Sequence, residues 1–285
     1  MGKVFLVGAG PGDPGLITVK GRHLLEKADC IVYDRLANPR LLSFAKPGCN
    51  MVYVGKAASR HTMKQEEINS LLVRCASEYE TVVRLKGGDV YVFGRGGEEG
   101  LYLLGHGVKF EVVPGISSSI AGLAYAGIPI THRGTAHGFR VVTAHDKDDK
   151  LTDLDFASMA RSEETLVFLM GLSKLGEITR RLLEAGMSPQ TPAAVISHAT
   201  LSSQDTVAAR LGELEEAGER PPPFFPAPVV GGKSSIFLNT CRSLAGESCS
   251  HTREGGPPCS QSSLRHSARG SLRCARGRFA KSPVP

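Results

Sequence analysis

The feature that most constrains the fold is an alternation of short strand-like runs with segments of helical period over the first 113 residues. The predicted strands are residues 3–7, 30–33, 51–54, 81–85 and 110–113. Between two of them, one helix face is predicted by the i, i+3, i+4, i+7 spacing of Ile68, Leu71, Leu72 and Cys75. Such alternation predicts an α/β fold, with a parallel sheet that carries helices on both faces.

Each predicted strand ends in glycine or in charged residues, which suit ligand contact better than a core. These strand ends are residues 8–13, 34–35, 55–56, 87–89 and 114–118. Turn chemistry alone explains any one of them. Ligands of parallel sheets, however, bind beyond the carboxyl ends of the strands, where all five segments would meet. The sequence therefore predicts a binding cleft at this edge of the sheet.

The first of these loops imitates a dinucleotide-binding fingerprint without completing it. Gly8 and Gly10 follow a strand, but Asp13 stands where G-x-G-x-x-G requires its third glycine. A carboxylate at that point would repel phosphate, so a ligand with a cationic centre and no phosphate suits the loop better. A nicotinamide oxidoreductase is disfavoured for this reason. Residues 231–234 end like a P-loop, but Ala227 replaces its first glycine.

The net charge gives no indication of nucleic-acid binding by the folded part, and we expect neither a nucleic-acid nor a membrane partner. The net charge is +6, but residues 241–285 hold 8 of the 34 Lys and Arg and 2 of the 28 Asp and Glu, which leaves 26 of each sign elsewhere. No Cys-x-x-Cys pair supports a metal or a dithiol site. No apolar run approaches the length of a membrane span, and the N-terminus lacks a signal-peptide layout. We expect a soluble cytoplasmic protein without metal.

Seven motifs, in order and with few gaps, carry a resemblance over about residues 2–230. They include Val-Gly-Ala-Gly-Pro-Gly-Asp-Pro-Gly at 7–15, Arg-Leu-Lys-Gly-Gly-Asp at 84–89 and Phe-Gly-Arg-Gly-Gly-Glu-Glu at 93–99, with the others at 32–36, 54–56, 112–116 and 127–133. These motifs resemble the uroporphyrinogen-III C-methyltransferases of the tetrapyrrole methylase family. The resemblance implies two α/β domains in a homodimer, with S-adenosylmethionine in the cleft between the domains.

The resemblance also implies a reaction. Such an enzyme methylates C2 and C7 of uroporphyrinogen III and gives precorrin-2, a precursor of sirohaem and cobalamin. Two alternatives stay open: a methylase of a later precorrin, and an inactive S-adenosylmethionine-binding protein with a damaged C-terminal domain. Because the methyl donor carries its own activated group, the protein must chiefly align the acceptor carbon.

Site residues follow from the same resemblance. Asp34 is expected to accept a proton and Lys56 to donate one, while the alternative for Asp34 is an ion pair with Arg35 or Lys56. The expected cofactor contacts are Pro11, Gly87, Gly88, Asp89, Val92, Ser117, Ser118, Met170 and Ala199. Ser117-Ser118 and His198-Ala199-Thr200 depart from the usual family pattern. If the backbone at Ala199 needs a positive φ, the alanine costs about 1 kcal/mol or more.

The macrocyclic substrate implied by the resemblance carries eight carboxylates, which gives the cations near the strand ends a purpose. The expected substrate contacts are Arg35, Arg60, His61, Lys86, Arg95, His132 and Arg133, and Arg84 lies beside them in the same motif. The alternative is solvent exposure, which we expect for roughly half of them.

The expected division of the chain has four parts. Residues 1–116 form an N-terminal α/β domain, 117–134 a linker, 135–232 an incomplete C-terminal α/β domain, and 233–285 a disordered basic tail. In the second domain the sequence predicts strands at 139–143, 165–169 and 193–196 and a helix at 173–185. The tail suggests the hypothesis of an altered reading frame, which would leave the last strand and helix of this domain missing.

Overall fold

The strands of the first sheet are short apolar runs rich in valine, which favours β-structure. Amphipathic helices between these runs let successive strands lie parallel. A computed structural model describes residues 1–55, 63–144, 150–219 and 236–240 of the chain. The first sheet contains β1 (Lys3–Gly8), β2 (Cys30–Tyr33), β3 (Asn50–Tyr53), β4 (Thr81–Lys86) and β5 (Lys109–Val113). Its order is β3-β2-β4-β1-β5, and every neighbouring pair is parallel. All five carboxyl ends therefore meet at one edge, as predicted.

Helices cover both faces of this sheet, so its central strands β1, β2 and β4 are mostly buried, whereas residues of the edge strand β3 are exposed. The helices are α1 (Val19–Lys27), α2 (Gln65–Glu78) and α3 (Gly96–Gly105), with short 3₁₀ turns at Pro14–Leu16 and Pro39–Phe44. One face packs Leu6 and Val82 against Leu72 of α2. The other packs Val7 and Ile31 against Leu25 of α1. We call residues 1–113 the first lobe.

The helix α4 (Ser118–Tyr125) occupies part of the segment expected to be a linker. Its N-cap is Ser117, whose Oγ accepts a hydrogen bond from the Ser119 N–H at 3.3 Å. Leu123 of this helix is fully buried and clusters with Val167 and Ile196 of the second sheet. The helix therefore belongs, by its packing, to the second half of the chain.

The second sheet is mixed. It contains β6 (Phe139–Thr143), β7 (Thr165–Leu169), β8 (Pro192–Ser197), β9 (Asp205–Arg210) and β10 (Ile236–Thr240), in the order β6-β7-β10-β8-β9. Only β9 runs antiparallel among these described strands. Its helices are α5 (Phe156–Arg161), α6 (Leu175–Glu184) and α7 (Leu214–Glu219), with 3₁₀ turns at Leu172–Lys174 and Leu211–Glu213. We call the described residues from 117 to 240 the second lobe.

The position of β10 corrects the expected division of the chain. The sequence-based boundary placed residues 236–240 in a disordered tail and left the last strand of the second sheet missing. The backbone instead pairs Ile236 with Leu166 of β7 and with Ala193 of β8, in the middle of the sheet. The sequence-based boundary followed the composition of residues 233–285 as a whole, which is polar. The five-residue run Ile236–Thr240 that forms this strand was therefore not recognised. The other residues of the expected tail lie outside those described.

Both sheets belong to one compact unit that extends from Met1 to Glu247. Over the described ranges, none of the helices combines the length and the apolar character needed to cross a bilayer.

Candidate active site

A cavity of about 390 Å³ lies where the carboxyl ends of the first sheet face the ends of β7 and β8. The first lobe contributes the loops after β1, β2 and β4, and Ser117 and Ser118 at the start of α4 contribute from the second. Other second-lobe contributions include Met170, directly after β7, and Ala199, two residues after the end of β8. All nine residues predicted to contact a cofactor line this one cavity.

Close contacts between glycines hold the loops of the first lobe together. The Gly88 N–H donates to the Gly10 carbonyl at 2.7 Å, and the Gly10 N–H donates back to the Gly88 carbonyl at 3.2 Å. A Cβ at Gly8 would lie 2.5 Å from the Gly115 Cα, a distance that real side chains do not adopt. The absence of side chains at these positions lets the β1, β4 and β5 loops approach each other, and Gly88 among them lines the cavity.

Asp89 shapes its loop rather than presenting a free charge. One carboxylate oxygen accepts hydrogen bonds from the Tyr91 N–H at 2.8 Å and the Val92 N–H at 3.1 Å. The other accepts from the Gly115 N–H at 3.0 Å, which ties the β4 loop to the β5 loop. Three backbone donors thus hold the carboxylate, which fixes the main-chain positions of both loops.

Asp34 stands at the cavity with a partner that sequence reasoning did not name. Its Oδ1 accepts from the Leu36 N–H at 3.0 Å, and its Oδ2 accepts from Arg84 Nη2 at 2.9 Å. The alternative considered from sequence paired Asp34 with Arg35 or Lys56, whereas the structure pairs it with Arg84. The side chain of Asp34 keeps 23% of its surface exposed, so the carboxylate is held in place yet reaches solvent in the cavity.

Arg84 and Lys86 line the cavity but are not free cations. Both donate to Glu99, Arg84 through Nε at 3.1 Å and Lys86 through Nζ at 2.9 Å. Burial and the neighbouring Arg84 guanidinium lower the pKa of the Lys86 ammonium, and Glu99 opposes that lowering. The expectation that Lys86 binds substrate carboxylates is therefore weakened, because its charge is already neutralised inside the first lobe.

Arg35 and Arg95 are the remaining predicted cations that line the cavity. Arg95 forms a two-point ion pair with Glu98, at 2.8 and 2.6 Å, and that hydrogen-bonded contact holds the pKa of the Glu98 carboxyl below its ordinary value. More than half of the Arg95 side chain is exposed. A surface pair of this kind exchanges readily for another carboxylate, because each partner is still solvated.

Of the other predicted substrate contacts, the two that the structure describes do not line the cavity. His132 and Arg133 are exposed on the segment after α4, where the His132 N–H donates to the Ala136 carbonyl at 3.1 Å, and neither lines the cavity. Lys56, Arg60 and His61 lie outside the described residues. Their predicted roles stay predictions.

Backbone strain concentrates around the cavity. Five described residues other than glycine have a positive φ, namely Phe93, Arg95, Met170, His198 and Thr200. The first four line the cavity, and Thr200 adjoins it. Each such conformation costs about 1–3 kcal/mol and persists only where its surroundings impose it. Ala199 does not carry the cost of a positive φ that the sequence suggested for it, since the positive φ angles in this segment fall on His198 and Thr200.

Asp13 was expected to favour a cationic ligand, but its carboxylate is used within the protein. It accepts from the Gly15 N–H at 2.7 Å and from the Tyr125 hydroxyl at 2.8 Å, and these bonds lower the pKa of Asp13, the Gly15 bond most. The Asp13 N–H donates to Thr200 Oγ1 at 3.0 Å. The residue joins the β1 loop to the end of α4 and to the β8–β9 loop, and it does not line the cavity.

Sequence reasoning missed Glu99, the buried centre of the charge cluster. A signal for it existed, since Arg84 and Lys86 are two residues apart on a buried strand and therefore face the same side. Two cations on one face of a buried strand require a counter-charge. The second-lobe residues Leu169, His198 and Leu201 also line the cavity without having been predicted. Within the described part of the chain, no group of three or more His, Cys, Asp or Glu is arranged to hold a metal ion.

Comparisons with known proteins agree with this geometry. The profile of the tetrapyrrole (corrin/porphyrin) methylases matches residues 3–215. A uroporphyrinogen-III C-methyltransferase of Bacillus subtilis is 51% identical over 232 residues, which are 81% of this chain and 48% of the relative. One from Priestia megaterium is 47% identical over 235 residues, which are 81% of this chain and 99% of the relative. The chain thus spans about half the length of the first relative and nearly all of the second.

A solved structure adds a bound ligand. The uroporphyrin-III C-methyltransferase of Thermus thermophilus, crystallised with S-adenosylhomocysteine, is 46% identical with a TM-score of 0.67, and the match covers 78% of this chain and 94% of that one. Family profile, identity and fold lead to one conclusion: this chain belongs to the tetrapyrrole (corrin/porphyrin) methylase family.

Proposed function

We propose that the chain is an S-adenosylmethionine-dependent uroporphyrinogen-III C-methyltransferase, which adds methyl groups at C2 and C7 and gives precorrin-2. The observation that carries the proposal is a single cavity that collects the loops of both lobes and is lined by all nine expected cofactor contacts. The names of the relatives and the S-adenosylhomocysteine in the Thermus structure support the same activity.

The cavity fits S-adenosylmethionine in size and in lining. Its volume of about 390 Å³ lies in the range of sites for small organic ligands. Gly88 has a φ of +69°, and an added Cβ there would meet no atom within 4 Å, so its main chain borders open space. Val92, Met170 and Leu201 supply apolar surface, and Ser117 and Ser118 supply hydroxyls. When bound, S-adenosylmethionine supplies a methyl group already activated by its sulfonium.

The protein's own chemistry then consists of alignment and proton transfer. We assign Asp34 as the acceptor of the proton that the macrocycle loses, because its carboxylate lies at the cavity and is oriented by Leu36 and Arg84. Lys56 is proposed as the proton donor from the family resemblance. Arg35 and Arg95 are proposed to bind substrate carboxylates at the cavity, and Arg60, His61, His132 and Arg133 are proposed as further substrate contacts from the family resemblance.

Three broader assignments belong to the same proposal. The two lobes are proposed to act as the N-terminal and C-terminal α/β domains of the family, the protein as a homodimer, and its location as cytoplasmic. A methylase of a later corrin intermediate is the second candidate. The structure of a cobalt precorrin-4 methyltransferase matches this chain with a TM-score of 0.67 at 28% identity, which favours that candidate less than the identity of 46% favours the first.

Methyl transfer to uroporphyrinogen III tests the proposal directly. Purified protein, uroporphyrinogen III and S-adenosylmethionine are incubated anaerobically under reducing conditions, and the product spectrum and S-adenosylhomocysteine are followed. We expect two equivalents of S-adenosylhomocysteine for each macrocycle. Methyl transfer to a later precorrin alone would favour the second candidate, and binding of S-adenosylhomocysteine without any transfer would contradict both.

Substitution of Asp34 tests its assigned role. Asp34→Ala should lower turnover by about 10²–10⁴-fold, the usual contribution of general acid-base catalysis, because no other carboxylate replaces it at that loop. The affinity for S-adenosylhomocysteine, measured by calorimetry, should stay nearly unchanged. Asp153→Ala is the control, since this exposed carboxylate of the second lobe does not line the cavity. Equal turnover in Asp34→Ala and wild type would refute the assignment.

A further inference from the structure

We propose that Glu99 is a positioning residue for the reaction, which acts through Arg84 to hold the Asp34 carboxylate in the cavity. The inference rests on the proposed function for its catalytic consequence, but its structural part can be tested without turnover. Glu99 itself does not line the cavity.

The first step is the convergence of donors on Glu99. Its side chain is fully buried, and one oxygen, Oε1, accepts from Arg84 Nε at 3.1 Å, Lys86 Nζ at 2.9 Å and Gln65 Nε2 at 3.3 Å. The second oxygen, Oε2, accepts no hydrogen bond from any described residue. A carboxylate placed for fold stability alone would be expected to satisfy both oxygens, since a buried unsatisfied acceptor is costly. Here one oxygen collects the donors of the cavity wall.

The second step is the rigidity of the guanidinium. Arg84 uses Nε for Glu99, Nη1 for the Leu85 carbonyl at 3.0 Å and Nη2 for Asp34 Oδ2 at 2.9 Å. Because the guanidinium is planar, its donors keep a fixed geometry. The bond that Arg84 Nε donates to Glu99, together with the bond to the Leu85 carbonyl, therefore sets the plane in which Nη2 reaches Asp34.

The third step is charge balance. The cluster contains two carboxylates and two cations, and the side chains of Arg84, Lys86 and Glu99 are at most 6% exposed. Removing the Glu99 charge leaves two buried cations with Asp34 as the nearest remaining anion, and a buried charge that loses its partner is strongly unfavourable. Lys86 and Arg84 would then compete for Asp34 and draw its carboxylate from the cavity.

The position of Glu99 in the fold suits this role. It lies near the start of α3, where the helix dipole favours negative charge, and it faces the end of β4, which carries both cations. The same segment places Arg95 at the cavity, where Glu98 is its ion-pair partner. The start of α3 thus supplies a buried ion-pair partner, Glu99, on the protein side and an exposed ion pair, Arg95 with Glu98, on the solvent side.

A double-mutant cycle between Glu99 and Asp34 tests the proposal. Glu99→Gln keeps the shape of the side chain and removes its charge, and it should lower kcat at least about tenfold when Asp34 is present. In the Asp34→Ala background the same substitution should change residual turnover less than about twofold, because the group it positions is gone. Calorimetry with S-adenosylhomocysteine and thermal unfolding control for binding and stability. If Glu99 only stabilised the fold, Glu99→Gln would lower the melting temperature and would reduce kcat by the same factor with and without Asp34. That result would overturn the proposal.

Crystal structures of the wild type and of Glu99→Gln supply a readout that needs no activity. We expect the Asp34 carboxylate to shift in the variant from its wild-type position in the cavity towards the two buried cations, and an unchanged carboxylate position would overturn the proposal. If wild-type protein transfers no methyl group, the proposed function fails while this comparison still decides the positioning role. If Glu99→Gln does not fold, Arg84→Lys replaces it in the cycle and in the crystals. Lysine keeps the positive charge but lacks the planar guanidinium that contacts Glu99 and Asp34 at the same time.

Discussion

At the scale of single residues, the contacts between loops set how closely the strand ends can approach. Gly8 lies at the end of β1, and a Cβ there would come within 2.5 Å of the Gly115 main chain and 2.8 Å of the Gly88 carbonyl oxygen. These neighbours are backbone atoms, Gly88 held by its hydrogen bonds to Gly10 and Gly115 by its hydrogen bond to Asp89, so they cannot yield as a flexible side chain would. A single methyl group is thus sufficient to separate three loops of the cavity.

Gly8→Ala should therefore lower the free energy of unfolding by about 3 kcal/mol or more, as expected for overpacking against fixed atoms. It should also weaken S-adenosylhomocysteine binding. Gly105→Ala at the end of α3 is the matched control, because a Cβ there meets nothing within 4 Å, and alanine should be neutral or stabilising by up to about 1 kcal/mol. Urea denaturation measures both. Equal stabilities for the two variants would show that the loops can move apart.

Residue pairing marks where sequence reasoning fails. The cavity loops were predictable, because glycine and charge follow each strand, and Asp34 was correctly placed at a strand end. Its partner was not predictable, since the pairing depends on β2 lying beside β4, with Val32 opposite Arg84. Strand order is a tertiary property that no local pattern encodes. The two cations on one face of β4 indicated that a counter-charge was needed, but its identity as Glu99 depends on how α3 packs against the end of β4, which is also a tertiary property.

At the scale of elements, an ion cluster ties the edge strand of the first sheet to its neighbours. Glu111 of β5 accepts from Lys3 of β1 at 2.6 Å and also pairs with Lys20 of α1. The two ammonium groups, Lys20 first, lower the pKa of the Glu111 carboxyl from 4.5 to about 2. A carboxyl with a lowered pKa stabilises the fold above its ordinary pKa, and that contribution is lost as the pH falls towards the folded value.

Glu111→Gln should accordingly destabilise the protein at pH 7 by roughly 0.5–1 kcal/mol, a small value because the cluster is partly exposed. The difference from wild type should shrink as the pH falls from about 4.5 towards about 2, where the wild-type carboxylate is protonated as well. Urea denaturation between pH 7 and pH 3 measures it. Lys109→Gln, exposed on the same strand, serves as the control. A difference that is constant over this range would exclude the ion cluster as its cause.

Prediction of elements succeeded where the periodic signal was long and failed where it was short. The five strands of the first sheet and the strands β6, β7 and β8 were predicted to within about two residues. The strand β9 has the mixed sequence Asp-Thr-Val-Ala-Ala-Arg, which shows no clean alternation. The strand β10 has five residues beside a polar segment, so only its partners β7 and β8 reveal it.

At the scale of the whole molecule, the second sheet depends on the strand that comes last in the chain. A chain that ends after residue 235 would lack β10 and leave a gap between β7 and β8, whose edges would have unpaired backbone groups. A chain that ends after Glu247 retains the whole compact unit. The two truncations bracket the strand.

We expect the 247-residue chain to keep the melting temperature of the full-length protein, since it retains every described strand. The 235-residue chain should lose cooperative unfolding and S-adenosylhomocysteine binding, because Met170 and Ala199 follow the two strands that β10 joins. Circular dichroism and calorimetry measure these properties. Cooperative melting of the shorter chain at an unchanged temperature would contradict the central role of β10.

The central place of β10 also fixes an order of events during biosynthesis. The first sheet has all its strands once residue 113 has left the ribosome, and each of its pairings joins segments already made. The second sheet cannot close until residue 240 has emerged, because β7 and β8 meet only through β10. Until then the emerging chain contains a complete first sheet and two apolar strands, β7 and β8, whose facing edges are unpaired. Unpaired strand edges are prone to aggregation, so we expect chaperone binding to be most needed in this interval.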